Sequence, residues 1–220
     1  MAVAAPVVEP RLALAFAAVL DYPSAPVAEA ARVCEELALA ESAEAAELVA
    51  SFRELAEQVP LGELQEAYTI AFDLDSLSQA EPTCYPYVGH HLFEENHKRS
   101  AFILGLKKRF REHGFEERVE LPDHLVVLLR FLAVCRDEEL AAELVDDAIL
   151  PALDRMVGSG FAPDELESGR DRYRAVVRGL ALALAARRPA REPDEETEAE
   201  RKAWNRHGDS LGISRDWCGH

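Results

Sequence analysis

Apolar residues recur every three or four positions along most of the chain, which is the spacing of one face of an α-helix. No alternating apolar and polar stretch is long enough to predict a strand. Helices are predicted to begin at Pro10, Ser24, Ser42 and Pro60, because Ser caps a helix start and Pro is accepted in its first turn. The apolar residues that define these helices are Leu12, Leu14, Phe16 and Leu20, then Val27, Ala30, Cys34 and Leu37, then Leu48, Phe52, Leu55 and Val59, then Leu61, Leu64, Tyr68 and Phe72.

The helical pattern fails from Leu74 to Gly89, and an irregular segment of that length within a domain is usually functional or mobile. Four more helices are predicted to follow: from near His90 to Glu112, from Pro122 with the body Leu125–Val134, from Asp137 with a kink or split at Pro151, and from Pro163 to about Arg187. The body of the second is apolar except for Arg130, so we expect it to be buried in the middle of a bundle. The fold class predicted is all-α.

The predicted organisation is one helical-bundle domain over residues 1–188, of about eight helices. Residues 189–220 hold eight acids, five bases and no apolar stripe, which predicts an acidic and flexible tail. No apolar run reaches the ~18 residues that a membrane span needs, and we read the first apolar stretch as a helix of a cytoplasmic protein.

Acidic residues dominate the composition, with 41 Asp and Glu against 24 Lys and Arg and a net charge of −17. This balance argues against a nucleic-acid binder and favours a cationic partner. The charge is uneven, since residues 97–111 hold six Lys or Arg and no acid. Two interpretations stay open: solvated helix faces that pair with one another, or an acidic surface that recruits a basic peptide.

Catalytic motifs are absent from the sequence: it has no GxSxG, HExxH, phosphate-binding glycine loop or dinucleotide fingerprint. His90, His91 and His97 follow Cys84, but no pair has the i, i+4 spacing of two ligands on one helix face. We therefore predict no cofactor and no metal, and expect reduced thiols at the four cysteines, which are Cys34, Cys84, Cys135 and Cys218. Asp123 and His124 could form an acid–base pair, but as neighbours at a helix start they point different ways, so the simpler interpretation makes Asp123 a helix-start residue.

Five short motifs stand between residues 68 and 125: YTIAFD (68–73), HLFEE (91–95), KRS (98–100), LKKRFREHG (106–114) and ELPDHL (120–125). In this order and at these spacings they resemble the NarJ family. Those proteins are cytoplasmic assembly chaperones of respiratory nitrate reductase and related molybdenum enzymes. The Asp-His pair also marks the wider TorD and DmsD group. Ser100, Val126 and Arg130 depart from the family pattern, so the client is either nitrate reductase or a related enzyme.

The resemblance implies a chaperone without catalysis that binds the N-terminal segment of the molybdenum enzyme's catalytic subunit. It implies a client-binding site made of Tyr68, Asp73, His91, Glu94, Arg99, Asp123 and His124. For Arg99 an ion pair with Asp73 or Glu95 is an equal alternative to client contact, and for Tyr68 a place in the core is the stronger one. The alternative functions are a helical adaptor without a redox client and a small Cys/His metal protein.

Overall fold

A computed structural model describes residues 6–72, 84–93, 96–158, 166 and 168–188. Within these ranges the chain is helical, and its one extended pairing is an isolated antiparallel bridge between Tyr87 and His124. The α-helices are α1 (Pro10–Val19), α2 (Val27–Leu39), α3 (Ala43–Gln58), α4 (Leu61–Phe72), α5 (Val88–Leu92), α6 (Asn96–Glu112), α7 (Leu125–Val134), α8 (Glu138–Glu143), α9 (Leu150–Val157) and α10 (Gly169–Ala186), with a π-helix at Leu144–Ile149. The predicted all-α fold is confirmed.

The helix starts follow local capping chemistry in most places. Pro10 occupies the first turn of α1, and Ser42 caps α3 by accepting a hydrogen bond from the Ala45 amide at 3.2 Å. The predicted Ser24 cap is wrong, because Ser24 contributes only its carbonyl, which accepts from the Val27 amide in a turn that precedes α2. Leu14, one of the apolar residues of α1, is 50% exposed.

Helix α7 forms the centre of the core, as its apolar composition predicts. Leu125, Leu128 and Phe131 are almost completely buried, and α1 packs along this helix. On the other side of the bundle α10 packs against α3. This approach is close, because a Cβ atom on Gly179 would lie 3.1 Å from the Ala45 carbonyl oxygen.

Helices α8 and α9 are joined by the π-helix, just before Pro151. The Leu150 amide donates to the Val145 carbonyl, five residues back, where an α-helix would use a carbonyl four residues back. Pro151 has no amide proton and its ring crowds the preceding turn, so the wider turn accommodates it without ending the helix. The predicted distortion at Pro151 is therefore present as a π-helical bulge.

The single helix predicted from His90 to Glu112 is wrong. Helix α5 begins earlier, at Val88, and ends at Leu92, because the backbone of Phe93 is extended; α6 begins at Asn96. Tertiary hydrogen bonds fix the start of α5: the Val88 amide donates to the Asp123 carbonyl at 2.8 Å, and the Leu125 amide to the Pro86 carbonyl at 2.7 Å. These bonds fix α5 against the start of α7, independently of α6.

The last helix begins at Gly169, behind a Ser168 cap, so the start predicted at Pro163 is wrong. Ser168 and Asp171 form a capping box, which satisfies amides on both sides of the helix start. Pro163 itself and the predicted tail 189–220 lie outside the described residues, and the division at residue 188 stays a prediction. No described helix is long and apolar enough to span a membrane.

Candidate functional site

The central feature of the site is an ion pair between Arg99 on α6 and Asp123 before α7. The Arg99 Nε atom donates to Asp123 Oδ2 at 2.8 Å, and Nη2 lies 3.4 Å from Oδ1. The Asp123 side chain is completely buried, whereas 25% of the Arg99 side chain is exposed. Arg99 therefore neutralises a buried carboxylate while a quarter of its own side chain stays exposed.

Tyr87 packs over this ion pair, immediately before α5. The Arg99 guanidinium lies 5.2 Å from the centre of the Tyr87 ring, within cation–π range. The Tyr87 hydroxyl donates to Glu120 Oε2 at 3.3 Å, and its ring meets the His124 ring edge-on at 5.2 Å. Burial and the neighbouring Glu120 carboxylate raise the pKa of the Tyr87 hydroxyl, so it stays a hydrogen-bond donor at neutral pH.

His124, and not Asp123, caps the start of α7. Its Nδ1 atom accepts a hydrogen bond from the Val126 amide at 3.2 Å, which places the ring proton on Nε2. Burial lowers the pKa of the imidazole and keeps it neutral. The helix-start role predicted for Asp123 is wrong, because that carboxylate points to Arg99 while His124 supplies the cap.

His91 anchors the segment before α5. Its Nε2 atom donates to the Tyr85 carbonyl at 2.8 Å, and its own carbonyl accepts from the Arg155 guanidinium on α9. Burial lowers the pKa of His91 to about 4. This side chain faces Tyr85 and α9, so its contacts hold α5 in place beside the Arg99–Asp123 pair.

Tyr68 joins an aromatic cluster next to the site. Its ring contacts those of Tyr22 at 5.5 Å, Phe72 at 4.7 Å and Tyr173 at 5.5 Å. Burial raises the pKa of the Tyr68 hydroxyl, and the Asp21 and Glu120 carboxylates add to that shift. Tyr22 is 55% exposed, so the cluster reaches the surface there.

Carboxylates surround the edge of the site between this cluster and Tyr87. Arg130 on α7 donates to Asp21 Oδ2 at 2.5 Å and lies 3.6 Å from Glu117 Oε2. Glu117 also accepts from the Arg118 and Val119 amides, and these bonds lower its pKa. Arg130 therefore ties the α1–α2 turn and the 116–121 loop to the central helix.

Residues 38–157, more than half of the chain, match the model of the family described as nitrate reductase delta subunit. The chain belongs to this family. The finding confirms the resemblance to the NarJ chaperones, which are assembly factors for nitrate reductase and not enzymes. The protein is thus a chaperone whose partner is a molybdoenzyme. No curated protein matches the chain.

The delta-subunit match covers most of the site. Tyr68, Arg99, Asp123 and His124 lie within it, and so does Tyr87. Of the residues that the resemblance singles out, the structure brings Arg99, Asp123 and His124 together. Tyr68 lies in the neighbouring aromatic cluster. His91 lies on the far side of α5, and Asp73 and Glu94 fall outside the described residues.

Two members of the site around the Arg99–Asp123 pair, Tyr87 and Gly89, were not predicted from the sequence. A Cβ atom on Gly89 would lie 2.7 Å from Asp123 Oδ2 and 3.1 Å from Arg99 Cγ. The signal for both was their place at the end of the irregular segment, immediately before the His91 motif. Over the residues described, no group of three or more His, Cys, Asp or Glu side chains is arranged to hold a metal ion.

Proposed function

We propose that this chaperone binds the N-terminal segment of a molybdoenzyme catalytic subunit and holds it in the cytoplasm while cofactor is inserted, before membrane attachment or export. The client is nitrate reductase or a related iron–sulfur molybdoenzyme. One observation carries the proposal: two groups of side chains that are distant in sequence lie near each other, Tyr22 with Tyr68 and Tyr87 with Arg99 and His124. Besides burial, Glu120 and Tyr87 are close enough to the Tyr68 hydroxyl to raise its pKa. The family role in assembly supports it.

The proposed site offers both apolar and polar contacts to a peptide. Tyr22 and the 44% exposed Leu121 supply apolar surface for one face of an amphipathic helix. The Arg99 side chain, which is 25% exposed, offers guanidinium donors to client carbonyl oxygens, such as those that end a helix. Because Asp123 already fixes the orientation of Arg99, little side-chain entropy is lost when the client binds.

Electrostatics at this surface favour a basic client segment. Asp21, Glu117 and Glu120 lie along its edge, and the whole chain carries a net charge of −17. A potential of that sign raises the encounter rate with a basic peptide, and the effect weakens as salt screens it. We expect a salt-sensitive association rate, with an affinity that depends mainly on apolar burial and is less sensitive to salt.

Calorimetry with a synthetic peptide tests this proposal. The peptide consists of the first ~15 residues of the catalytic subunit encoded beside this chaperone, titrated at low and high salt. We expect micromolar or tighter binding, about −8 kcal/mol, with a negative heat-capacity change. No heat at either salt, with a soluble peptide, would remove peptide capture as the function.

A pair of surface variants locates the binding site. Tyr22→Ser removes the most exposed ring of the aromatic cluster, and we expect it to weaken peptide binding about tenfold, the effect of losing one buried aromatic contact. Leu39→Ser is the matched control, because Leu39 is 62% exposed on α2, away from the cluster. Equal effects of the two variants, or none from Tyr22→Ser, would place the peptide elsewhere.

A further inference from the structure

Helix α6 carries a row of exposed residues on the face opposite its buried stripe. Phe102, Leu106 and Phe110 point into the core, while Leu104, Lys107, Lys108 and Arg111 are exposed. The exposed four stand at positions i, i+3, i+4 and i+7, so they form one continuous line along the helix. We call this line the cationic stripe.

The cationic stripe is unusual for this protein. It presents three positive charges and no acid in a chain with a net charge of −17. Among the described residues, Lys107, Lys108 and Arg111 have no ion-pair partner, whereas the neighbouring Arg109 pairs with Glu112 at 3.4 Å. Leu104 adds an apolar contact point that is 66% exposed. The three positive charges and the exposed Leu104 thus suit an acidic segment that also contains small apolar side chains.

The chain itself contains such a segment. Residues 192–200 read EPDEETEAE, with six acids and no base. This segment is the densest acidic run in the sequence, and no other run matches the stripe's charge as well. A segment attached to the same chain also has a high effective concentration at the stripe, which favours it over acidic proteins in solution.

The connection from α10 is long enough to reach the stripe. Arg187, at the end of α10, donates to the Pro6 carbonyl, and the next amide, that of Val7, donates to Glu138 at the start of α8. Helix α7 ends just before this point, and its Phe131 ring contacts Phe110 of α6 at 4.7 Å. About one to two helix diameters of ~10 Å separate the two places. The seven positions from Arg188 to Glu195, in the middle of the acidic segment, span up to ~25 Å when extended.

We propose that residues 192–200 dock on the cationic stripe of the same molecule and cover it. The contact is electrostatic, so it forms at low salt and opens as salt rises. Docking would keep the stripe from binding acidic proteins non-specifically, without covering Arg99, which lies on a different face of α6. This proposal does not depend on the client-binding site.

Lysine acetylation tests the docking directly in the full-length chain. The sequence has four lysines, Lys98, Lys107, Lys108 and Lys202, so each is readily followed by mass spectrometry. In the triple variant Glu195→Gln, Glu196→Gln and Glu198→Gln we expect Lys107 and Lys108 to be acetylated about threefold faster than in the wild type, or more. A factor of that size corresponds to the loss of a few exposed ion pairs. Lys98, off the stripe on the same helix, should keep its rate.

A matched control separates docking from a general change in charge. Glu36→Gln, Glu47→Gln and Glu66→Gln remove the same number of charges from exposed positions on α2, α3 and α4. This variant should leave Lys107 and Lys108 as slow as in the wild type. Equal acceleration by both triple variants, or by neither, would overturn the proposal.

Zero-length cross-linking with a carbodiimide identifies the occupant. We expect Lys107 or Lys108 to be joined to an acid of residues 192–200 within a monomer at low salt. The product should disappear at 0.5 M salt, where the attraction between exposed charges reaches only about a quarter as far as in dilute buffer. Cross-links found only in dimers would show a second copy as the occupant and overturn the intramolecular arrangement. Their complete absence would also contradict the proposal.

Discussion

Substitution of Gly89 by Ala tests whether backbone packing holds the Arg99–Asp123 pair in place. A methyl group there would lie 2.7 Å from Asp123 Oδ2, 3.1 Å from Arg99 Cγ and 3.3 Å from Phe102 Cδ1. The last two atoms belong to longer side chains that can shift by a few tenths of an ångström. The carboxylate has no such freedom, because it is completely buried and its oxygen accepts from Arg99 at 2.8 Å.

The expected cost follows from two opposing effects. Overpacking a filled site typically destabilises a protein by about 1–3 kcal/mol. Replacing Gly by Ala in a helix gains up to ~1 kcal/mol, and Gly89 lies in α5. We therefore expect Gly89→Ala to lower the free energy of unfolding by about 1–2 kcal/mol. In a chain of this size each 1 kcal/mol lowers the melting temperature by roughly 2–4 °C.

Urea unfolding followed by circular dichroism measures the effect, and Gly62→Ala is the matched control. Gly62 lies in α4 and a methyl group there would have no heavy atom within 4 Å. That variant should be stabilised by up to ~1 kcal/mol. Opposite shifts of the two midpoints at an unchanged slope would support the packing argument. If Gly89→Ala were as stable as Gly62→Ala, the tight contact around Asp123 would be refuted.

Three further predictions concern the core, the ion pair and pH. Leu128→Ala, at a completely buried position in α7, should lower the free energy of unfolding by about 2–5 kcal/mol in the same urea assay. Arg99→Met should cost up to about 3–5 kcal/mol, because it leaves the buried Asp123 carboxylate unpaired, and adding Asp123→Asn should recover part of that loss. The pKa of His91 in the folded protein, about 4, lies below its value in the unfolded chain. The contribution of His91 to the free energy of unfolding is therefore complete above about pH 6.5 and is lost as pH falls toward 4. His91→Gln should flatten that part of the plot of unfolding free energy against pH.

The all-α fold could be predicted because most helices carry their own signals. The Ser42 cap, the Asp137 cap and the uniformly apolar α7 depend on residues close in sequence. The start of α5 at Val88 could not be predicted, since it depends on a hydrogen bond from the Val88 amide to the Asp123 carbonyl, 35 positions away. Local periodicity contains no information on such a contact.

The candidate site was predictable only in part, for a related reason. Arg99 and Asp123 stand out by their place in motifs, but those motifs do not tell which acid Arg99 pairs with. Burial decides that choice: the pair with Asp123 compensates a carboxylate that has no access to water. The cap at His124 was missed because histidine is an uncommon cap, and Asp beside it is the statistically favoured one.

Stability and the proposed client binding are coupled at this site through Arg99. The same guanidinium compensates the buried Asp123, packs under Tyr87 and keeps a quarter of its surface exposed. In the proposed site a client carbonyl can accept from the guanidinium while its Nε bond to Asp123 stays in place, so binding need not break the ion pair. It follows that a variant losing the pair loses fold and function together, whereas a change at Tyr22, whose ring is more than half exposed, separates them. The Tyr22→Ser variant is therefore the decisive probe of binding, and the Arg99 variants report chiefly on how the site is built.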